Sequence, residues 1–183
     1  MKNEMQDALN ELQQGGVGVL PTDTIYGLVG SALLSETVER IYELRRRDPK
    51  KPMIVLISGI QDLEQFGIVL SAKLIEQLKK YWPGPYSIIL PTIDEQFEYL
   101  HRGSDRIAFR VPDKPELLLL LEQTGPLVAP SANMEGMPPA RTIPEARRYF
   151  GTDIEFYIDE GELDQKASTL LEIDGDAVRI IRE

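Results

Sequence analysis

An α/β fold, with a twisted mixed β-sheet flanked by helices, is what this sequence predicts, and three observations carry that reading. Short apolar runs alternate with segments of helical period along the chain. Proline, glycine and helix-capping residues stand at most of the junctions between them. No Ser/Gly-rich linker, repeat or low-complexity tract interrupts the 183 residues, so one domain spanning residues 1–183 is expected.

Met1 to Gly16 place Met5, Ala8, Leu9 and Leu12 at helical spacing among Glu4, Asp7 and Glu11. That describes an amphipathic surface helix rather than the apolar core of a secretory signal. Val17–Leu20 reads as a buried strand stopped by Pro21, and Pro21–Gly30 as a polar loop after it. Ser35 is the expected N-cap of a helix turning Val38, Ile41 and Tyr42 inward. Met53–Ile57 is strand-like. Ser71 opens a helix with Leu74, Ile75 and Leu78 on one face, ending before Pro83-Gly84-Pro85. Tyr86–Leu90 and Arg106–Val111 read as strands. Pro115 starts a leucine-rich helix that Gly125 ends, and Leu127–Ala129 is a short strand. Thr142 and Glu145 have capping-box spacing. Thr169–Ile173 and Ala177–Ile181, around Asp174-Gly175, have the pattern of a β-hairpin.

Composition excludes several functions. With no cysteine there is no disulfide framework and no thiolate metal site, and the single histidine, His101, cannot build a multi-His site. His101 beside Arg102 reads as a solvated loop residue. No run approaches the roughly 18 apolar residues that span a bilayer, so a cytoplasmic location is expected. A net charge of −10 opposes nonspecific coating of nucleic acid. Within this acidic chain lies one basic knot, Arg40, Arg45, Arg46, Arg47, Lys50 and Lys51. It reads either as a local anion site or as a solvated helix end, since cations favour a helix C-terminus.

Three polar segments follow or precede strand-like runs: Pro21–Gly30, Arg45–Lys51 and Ala129–Asn133. Ligands of open α/β sheets bind where loops leave the strand ends. Hydroxyls at Thr22 and Thr24, the amide of Asn133 and several guanidiniums suit phosphates and a carboxylate. Gly27 and Gly30 permit close backbone approach. No G-x-x-x-x-G-K-[ST] or G-x-G-x-x-G loop is present, and no nucleophile–base pair is evident.

Pro21-Thr22-Asp23-Thr24-Ile25-Tyr26-Gly27-Leu28, an arginine-rich segment ending in Lys51-Pro52, and Tyr81-Trp82-Pro83-Gly84-Pro85 occur in that order. Arg110-Val111-Pro112, Pro130-Ser131-Ala132-Asn133 and Ser168-Thr169 follow. In this ordered set, which covers the chain from about Gly16 to Arg182, the sequence resembles the YrdC-like L-threonylcarbamoyladenylate synthases in their short, single-domain form. The resemblance implies a YrdC-like fold. It also implies an ATP-using nucleotidyltransferase that makes threonylcarbamoyl-AMP and pyrophosphate from L-threonine, bicarbonate and ATP, with Mg2+ held mainly by the ATP. The product serves threonylcarbamoyladenosine modification of tRNA (t6A37), so downstream transfer proteins and a weak tRNA contact are the implied partners.

By motif position the resemblance assigns Arg45, Arg47, Lys51, Asn133, Arg141 and Arg182 to ATP, and Thr22, Thr24, Arg110, Ser131 and Ser168 to L-threonine. It assigns no catalytic group; positioning and charge stabilisation do the work. Arg110 lies in the apolar run Ile107–Val111, where an unpaired charge is expensive, which favours a functional role. Arg182 reads either as a nucleotide contact or as a solvated terminal residue. Arg45 stands where the family's Lys-x-Arg pattern has lysine. Glu135 stands where many members have serine, and as an anion would repel a nucleotide. Arg106 and Arg141 occupy positions often held by threonine and could add phosphate contacts. Two other readings stay open: a non-catalytic RNA-binding module of the same fold, and a carbamoyl-adenylating domain of the hydrogenase-maturation kind.

Overall fold

A computed structural model describes residues 2–92, 94–175 and 177–183. The chain runs α1 (Lys2–Gln13), β1 (Gly18–Pro21), β2 (Tyr26–Ser31), α2 (Ser35–Arg45), β3 (Ile54–Leu56), α3 (Ala72–Leu78), β4 (Tyr86–Pro91) and α4 (Glu98–His101). It continues through β5 (Arg106–Arg110), α5 (Pro115–Thr124), β6 (Leu127–Val128), α6 (Ile143–Phe150), β7 (Phe156–Tyr157), β8 (Thr169–Asp174) and β9 (Ala177–Arg182), with 3-10 segments at Ile60–Phe66 and Glu95–Phe97. Among the described residues, nine strands form one mixed sheet in the order β7-β1-β2-β6-β3-β5-β4-β8-β9. β3 with β5, β4 with β8, and β1 with β7 are parallel; the other neighbours are antiparallel.

Side-chain alternation divides the sheet's two faces. Val55, Ile88, Leu90, Ile107, Phe109, Leu171 and Ile173 enter the main core, with Val38, Ile41 and Tyr42 of α2 and Phe150 of α6. Phe66 stacks there on Phe97 and Phe109, with ring centroids 4.8 and 4.9 Å apart. On the opposite face, α1 and α5 bury Ala8, Leu9, Leu12, Leu117, Leu120 and Leu121 against Leu20, Val29, Leu56 and Leu127. Further along that same face, Arg106, Ala108 and Arg110 of β5, Ile89 of β4 and Leu170 and Glu172 of β8 line a cavity.

Several expectations require correction. Pro21–Gly30 is not one loop: Tyr26–Ser31 is a strand buried at every position, paired with β1 from Gly18↔Val29 to Pro21↔Tyr26. Burial on both faces removes the alternation that would have marked it, and its two glycines mimic a turn. Pro21 therefore ends β1 inside the ladder rather than before it. Gly30 serves close packing: a Cβ there would lie 2.5 Å from Thr37 Cγ2 of α2. Gly27 forms a β-bridge with Ser131, so its backbone builds the sheet beside the cavity. Ser35 is the first helical residue, not the cap; Leu34 holds the cap position with extended backbone and no side-chain cap bond. His101 is buried in α4, not solvated, and its Nδ1 accepts the Gly103 N–H at 3.2 Å.

The other helix starts follow the expected chemistry. Ser71 accepts from Leu74 N–H at 3.1 Å, and Thr142 from Glu145 N–H at 3.4 Å. Glu145 reaches back one residue past the cap, to Arg141 N–H at 2.8 Å. The C-terminal hairpin forms, with Gly175 at φ 59° in its turn. Met1, at the head of the expected first helix, lies outside the described residues.

Candidate functional site

The cavity has a volume of 390 Å3 and gathers all three polar segments singled out in the sequence. Its floor is the β3-β5-β4-β8 stretch of sheet, and its walls are the Thr22–Ile25 turn, the exit of α2 and the Ala129–Ser131 segment. Thr22, Thr24, Arg45, Arg47, Arg110, Ser131, Ser168 and Arg182 line it together. A size of this order suits a small-molecule ligand.

Thr22 makes the turn. Its Oγ1 accepts from the N–H groups of Thr24 (3.1 Å) and Ile25 (3.2 Å) and donates to Ile25 O (2.7 Å). That geometry sets Thr24 Oγ1 within 3.1 Å of Arg110 Nη1, which donates to it. Arg110 projects from β5 and is 4% exposed, with Nη2 3.3 Å from Asp23 Oδ1, while its Nε has no hydrogen-bond partner. Burial pushes the Arg110 guanidinium pKa down, and Asp23 pulls the other way. A guanidinium can grip a carboxylate with two parallel hydrogen bonds, and Arg110 is buried here with one donor unpaired. Across the strands, Ser168 and Ser87 share a 2.8 Å hydroxyl bond, and Arg182 Nη2 donates to Ser168 O at 3.1 Å.

The basic knot separates into different roles. α2 ends at Arg45 because Arg46 turns left-handed (φ 50°), after which Arg47 N–H returns to Tyr42 O at 3.0 Å. Arg45 points inward and is 3% exposed: Nε donates to Asn133 O (3.0 Å), and Nη2 to Asn133 Oδ1 (3.0 Å) and Ser131 Oγ (3.2 Å). Nη1 is buried without a partner. These bonds require a fork, which a lysine at position 45 could not supply. Burial, reinforced by Arg47, lowers the Arg45 pKa to about 10, with Glu135 opposing. Arg47 sits at the rim, donating to Lys51 O and Pro52 O at 3.0 Å each. Arg46 and Lys50 are exposed.

Three assigned residues stand outside the lining. Asn133 is buried as a brace: Oδ1 also accepts from Ser131 Oγ (2.6 Å), and Nδ2 donates to Met134 O (2.8 Å) and Met137 O (2.7 Å). Lys51 extends past the rim to Glu135, with Nζ 2.7 Å from Oε1. Arg141 lies apart, paired to Glu162 and Asp164 at 2.8 Å each. Conversely, sequence reasoning did not single out Asp23, Ser87, Ser104 or Glu172. The carboxylate of Glu172 lines the cavity while bonded to Arg106 and, at 2.5 Å, to Arg179. Asp23 lay in plain view between two threonines; only its distance from Arg110 makes it informative.

Among the described residues, no group of three or more His, Cys, Asp or Glu could hold a metal. Glu172, the cavity's acidic lining residue, is occupied by two arginines.

The Sua5/YciO/YrdC family model, described as "Telomere recombination", matches residues 10–183. The threonylcarbamoyl-AMP synthase of Marinobacter nauticus is 36% identical over 143 residues, covering 77% of this chain and 75% of that protein. The solved structure of Pyrococcus abyssi Sua5 complexed with L-threonine superposes with a TM-score of 0.90 at 29% identity, covering 100% of this chain and 54% of that one. This chain thus spans about half the length of the P. abyssi protein. Escherichia coli YciO shares the fold, with a TM-score of 0.87 at 24% identity over 100% of this chain and 90% of that one. With the family model matching nearly the whole chain, the chain belongs to the Sua5/YciO/YrdC family.

Proposed function

We propose that this chain is a threonylcarbamoyl-AMP synthase, the activity after which its relatives are named. The observation that carries the reading is one cavity with two unlike anion receptors. The buried Arg110–Thr24 cluster, with Ser131, suits a single carboxylate, and the Arg45 and Arg47 side suits phosphates. L-Threonine occupies the first, with Thr22 and Ser168 nearby; L-threonine is the ligand of the similar P. abyssi Sua5 structure. ATP occupies the second, with Arg182 at the edge strand, and Mg2+ is carried on its phosphates.

The chemistry needs no protein nucleophile. The threonine amine takes up CO2 from bicarbonate to give a carbamate. A carbamate oxygen attacks the α-phosphorus and pyrophosphate leaves with the electron pair. Residues 1–183 act as one domain in this, holding two anions close and spreading the developing charge over guanidiniums. In this reading Asn133 acts through Arg45 and Ser131. Lys51 meets the outer phosphates, and Arg141, tied to two carboxylates, contributes least. Downstream proteins would carry the threonylcarbamoyl group to tRNA.

The test is pyrophosphate release by this chain from ATP, Mg2+ and bicarbonate, with L-threonine, with L-serine and with no amino acid. Threonine-dependent release is expected. Absence of release from folded protein would overturn the reading and favour an RNA-binding module.

A further inference from the structure

Glu135 follows the Ser131–Asn133 brace, and its backbone N–H donates to Arg45 O at 2.8 Å, so the two loops at the cavity mouth are joined there. Its carboxylate then takes an unusual set of donors. Oε1 lies 2.7 Å from Lys51 Nζ, and Oε2 accepts the Asp48 backbone N–H at 2.7 Å. An ammonium and a main-chain N–H flanking one anion, on a loop whose Arg47 faces the cavity, form a phosphate-type niche. Here the niche already holds an anion of the chain's own. The repulsion foreseen from sequence is thereby converted into occupancy: Glu135 sits on Lys51, whose carbonyl accepts from the rim residue Arg47.

We infer that Glu135 is an intramolecular competitor for the pyrophosphate part of the nucleotide, setting the affinity for polyphosphates at the cavity mouth. The inference rests on the synthase reading for its role in turnover. Phosphates meeting Arg45 and Arg47 extend toward Lys51, which is four residues beyond Arg47 and bonded to it through its carbonyl at 3.0 Å. An entering triphosphate displaces the Glu135 carboxylate from Lys51. Once pyrophosphate has been displaced from the α-phosphorus, Glu135 returns to Lys51 and helps expel it. A ligand with a single phosphate at the Arg45 side leaves the Glu135–Lys51 pair intact. The carboxylate therefore discriminates by phosphate-chain length.

The experiment measures calorimetric binding of inorganic pyrophosphate, ATP and AMP to the wild type, Glu135→Gln, Glu135→Ser and Lys51→Met, with circular dichroism to verify folding. Glu135→Gln keeps an acceptor for Asp48 N–H and removes the charge. Exposed ion pairs of this kind correspond to about a two- to fivefold change in affinity. Pyrophosphate and ATP should therefore bind about two- to fivefold more tightly to both Glu135 variants, with AMP unchanged and the gain abolished when Lys51→Met is added. Pyrophosphate binding that is unchanged or weaker in both folded variants would show that Glu135 only ties the loops together. Because binding is read without turnover, a tighter-binding variant of an inactive chain would sink the synthase reading alone. An active synthase with unaltered pyrophosphate binding would sink this inference alone.

Discussion

At the scale of single residues, the site depends on two arginines that the fold buries incompletely satisfied. Arg110 turns its terminal nitrogens to Thr24 and Asp23 and leaves Nε without a partner, and a lysine there would retain the charge but lose the fork. A hydrogen bond to a charged group is worth about 1.5–3 kcal/mol, which converts to roughly a ten- to hundredfold change. Arg110→Lys should therefore raise the threonine KM about ten- to hundredfold while leaving ATP binding near its wild-type value. Threonine titrations in the pyrophosphate assay, with ATP affinity measured separately, check this. Asn133 gives the complementary case. Its amide satisfies Arg45, Ser131, Met134 O and Met137 O at once, and stripping it leaves buried groups unpaired. Asn133→Ala should cost about 1–3 kcal/mol of stability, together with ATP affinity, as Arg45 loses its brace. Loss of ATP affinity with an unchanged denaturant midpoint would instead make Asn133 a direct nucleotide contact.

At the scale of elements, the packing of α2 on β2 and the tether of α2 to the β7 edge decide where Arg45 and Arg47 emerge. Gly30 lets the helix approach; the Cβ of an alanine would meet Thr37 Cγ2 at 2.5 Å, which real structures relieve only by moving. Gly30→Ala should destabilise by about 1–3 kcal/mol, and adding Thr37→Ser, which deletes the offending methyl, should recover part of that. Thermal melts of both variants test it. Arg40 on the same helix grips Glu155 with both terminal nitrogens (3.1 and 2.9 Å), and Glu155 also accepts Val17 N–H at 2.7 Å. Burial of Glu155 opposes its ionisation, but Arg40 and the Val17 N–H outweigh it and hold the carboxyl pKa below the usual range. With the folded-state pKa depressed, the unfolded chain takes up the proton first as pH falls. The stabilisation is then complete above the ordinary glutamate value of about 4.3 and disappears as pH drops through the folded one. Glu155→Gln should accordingly melt below the wild type at pH 7, with the two curves converging as pH falls through the depressed folded-state pKa.

These elements also show what the sequence could and could not reveal. Alternating or helix-periodic segments with clear punctuation, such as α5 between Pro115 and Gly125 or β5 from Arg106, were legible from local pattern. β2 was not, because a strand buried on both sides has no polar phase and its Gly27 and Gly30 imitate a loop. The cavity's chemistry was legible as three polar segments. Their division of labour was not, since Arg45, Ser131 and Asn133 form one unit only when residues 86–88 apart in sequence are brought together. The same holds for the Glu135–Lys51 pair, where sequence alone shows two charges and not their 2.7 Å contact.

At the scale of the whole molecule, the question is whether a chain of net charge −10 with a basic knot binds tRNA by itself. Affinity for a phosphate backbone requires cations free to release counterions, and each contact contributes to the salt slope. In this fold several of the basic side chains are committed to carboxylates. Arg40 holds Glu155, Lys51 holds Glu135, Arg102 holds Glu39, Arg106 and Arg179 share Glu172, and Arg141 bridges Glu162 and Asp164. Arg45 and Arg110 are buried. A backbone running over the surface would have to break those pairs while approaching a net negative body. The chain alone should therefore bind tRNA weakly, with affinity falling by less than about tenfold between 50 and 200 mM salt, where a protein making 6–10 phosphate contacts loses about 10³–10⁵. Fluorescence titration of labelled tRNA across that range measures the slope. A steep decline from tight low-salt binding would favour an RNA-binding module, and a shallow one favours the synthase reading.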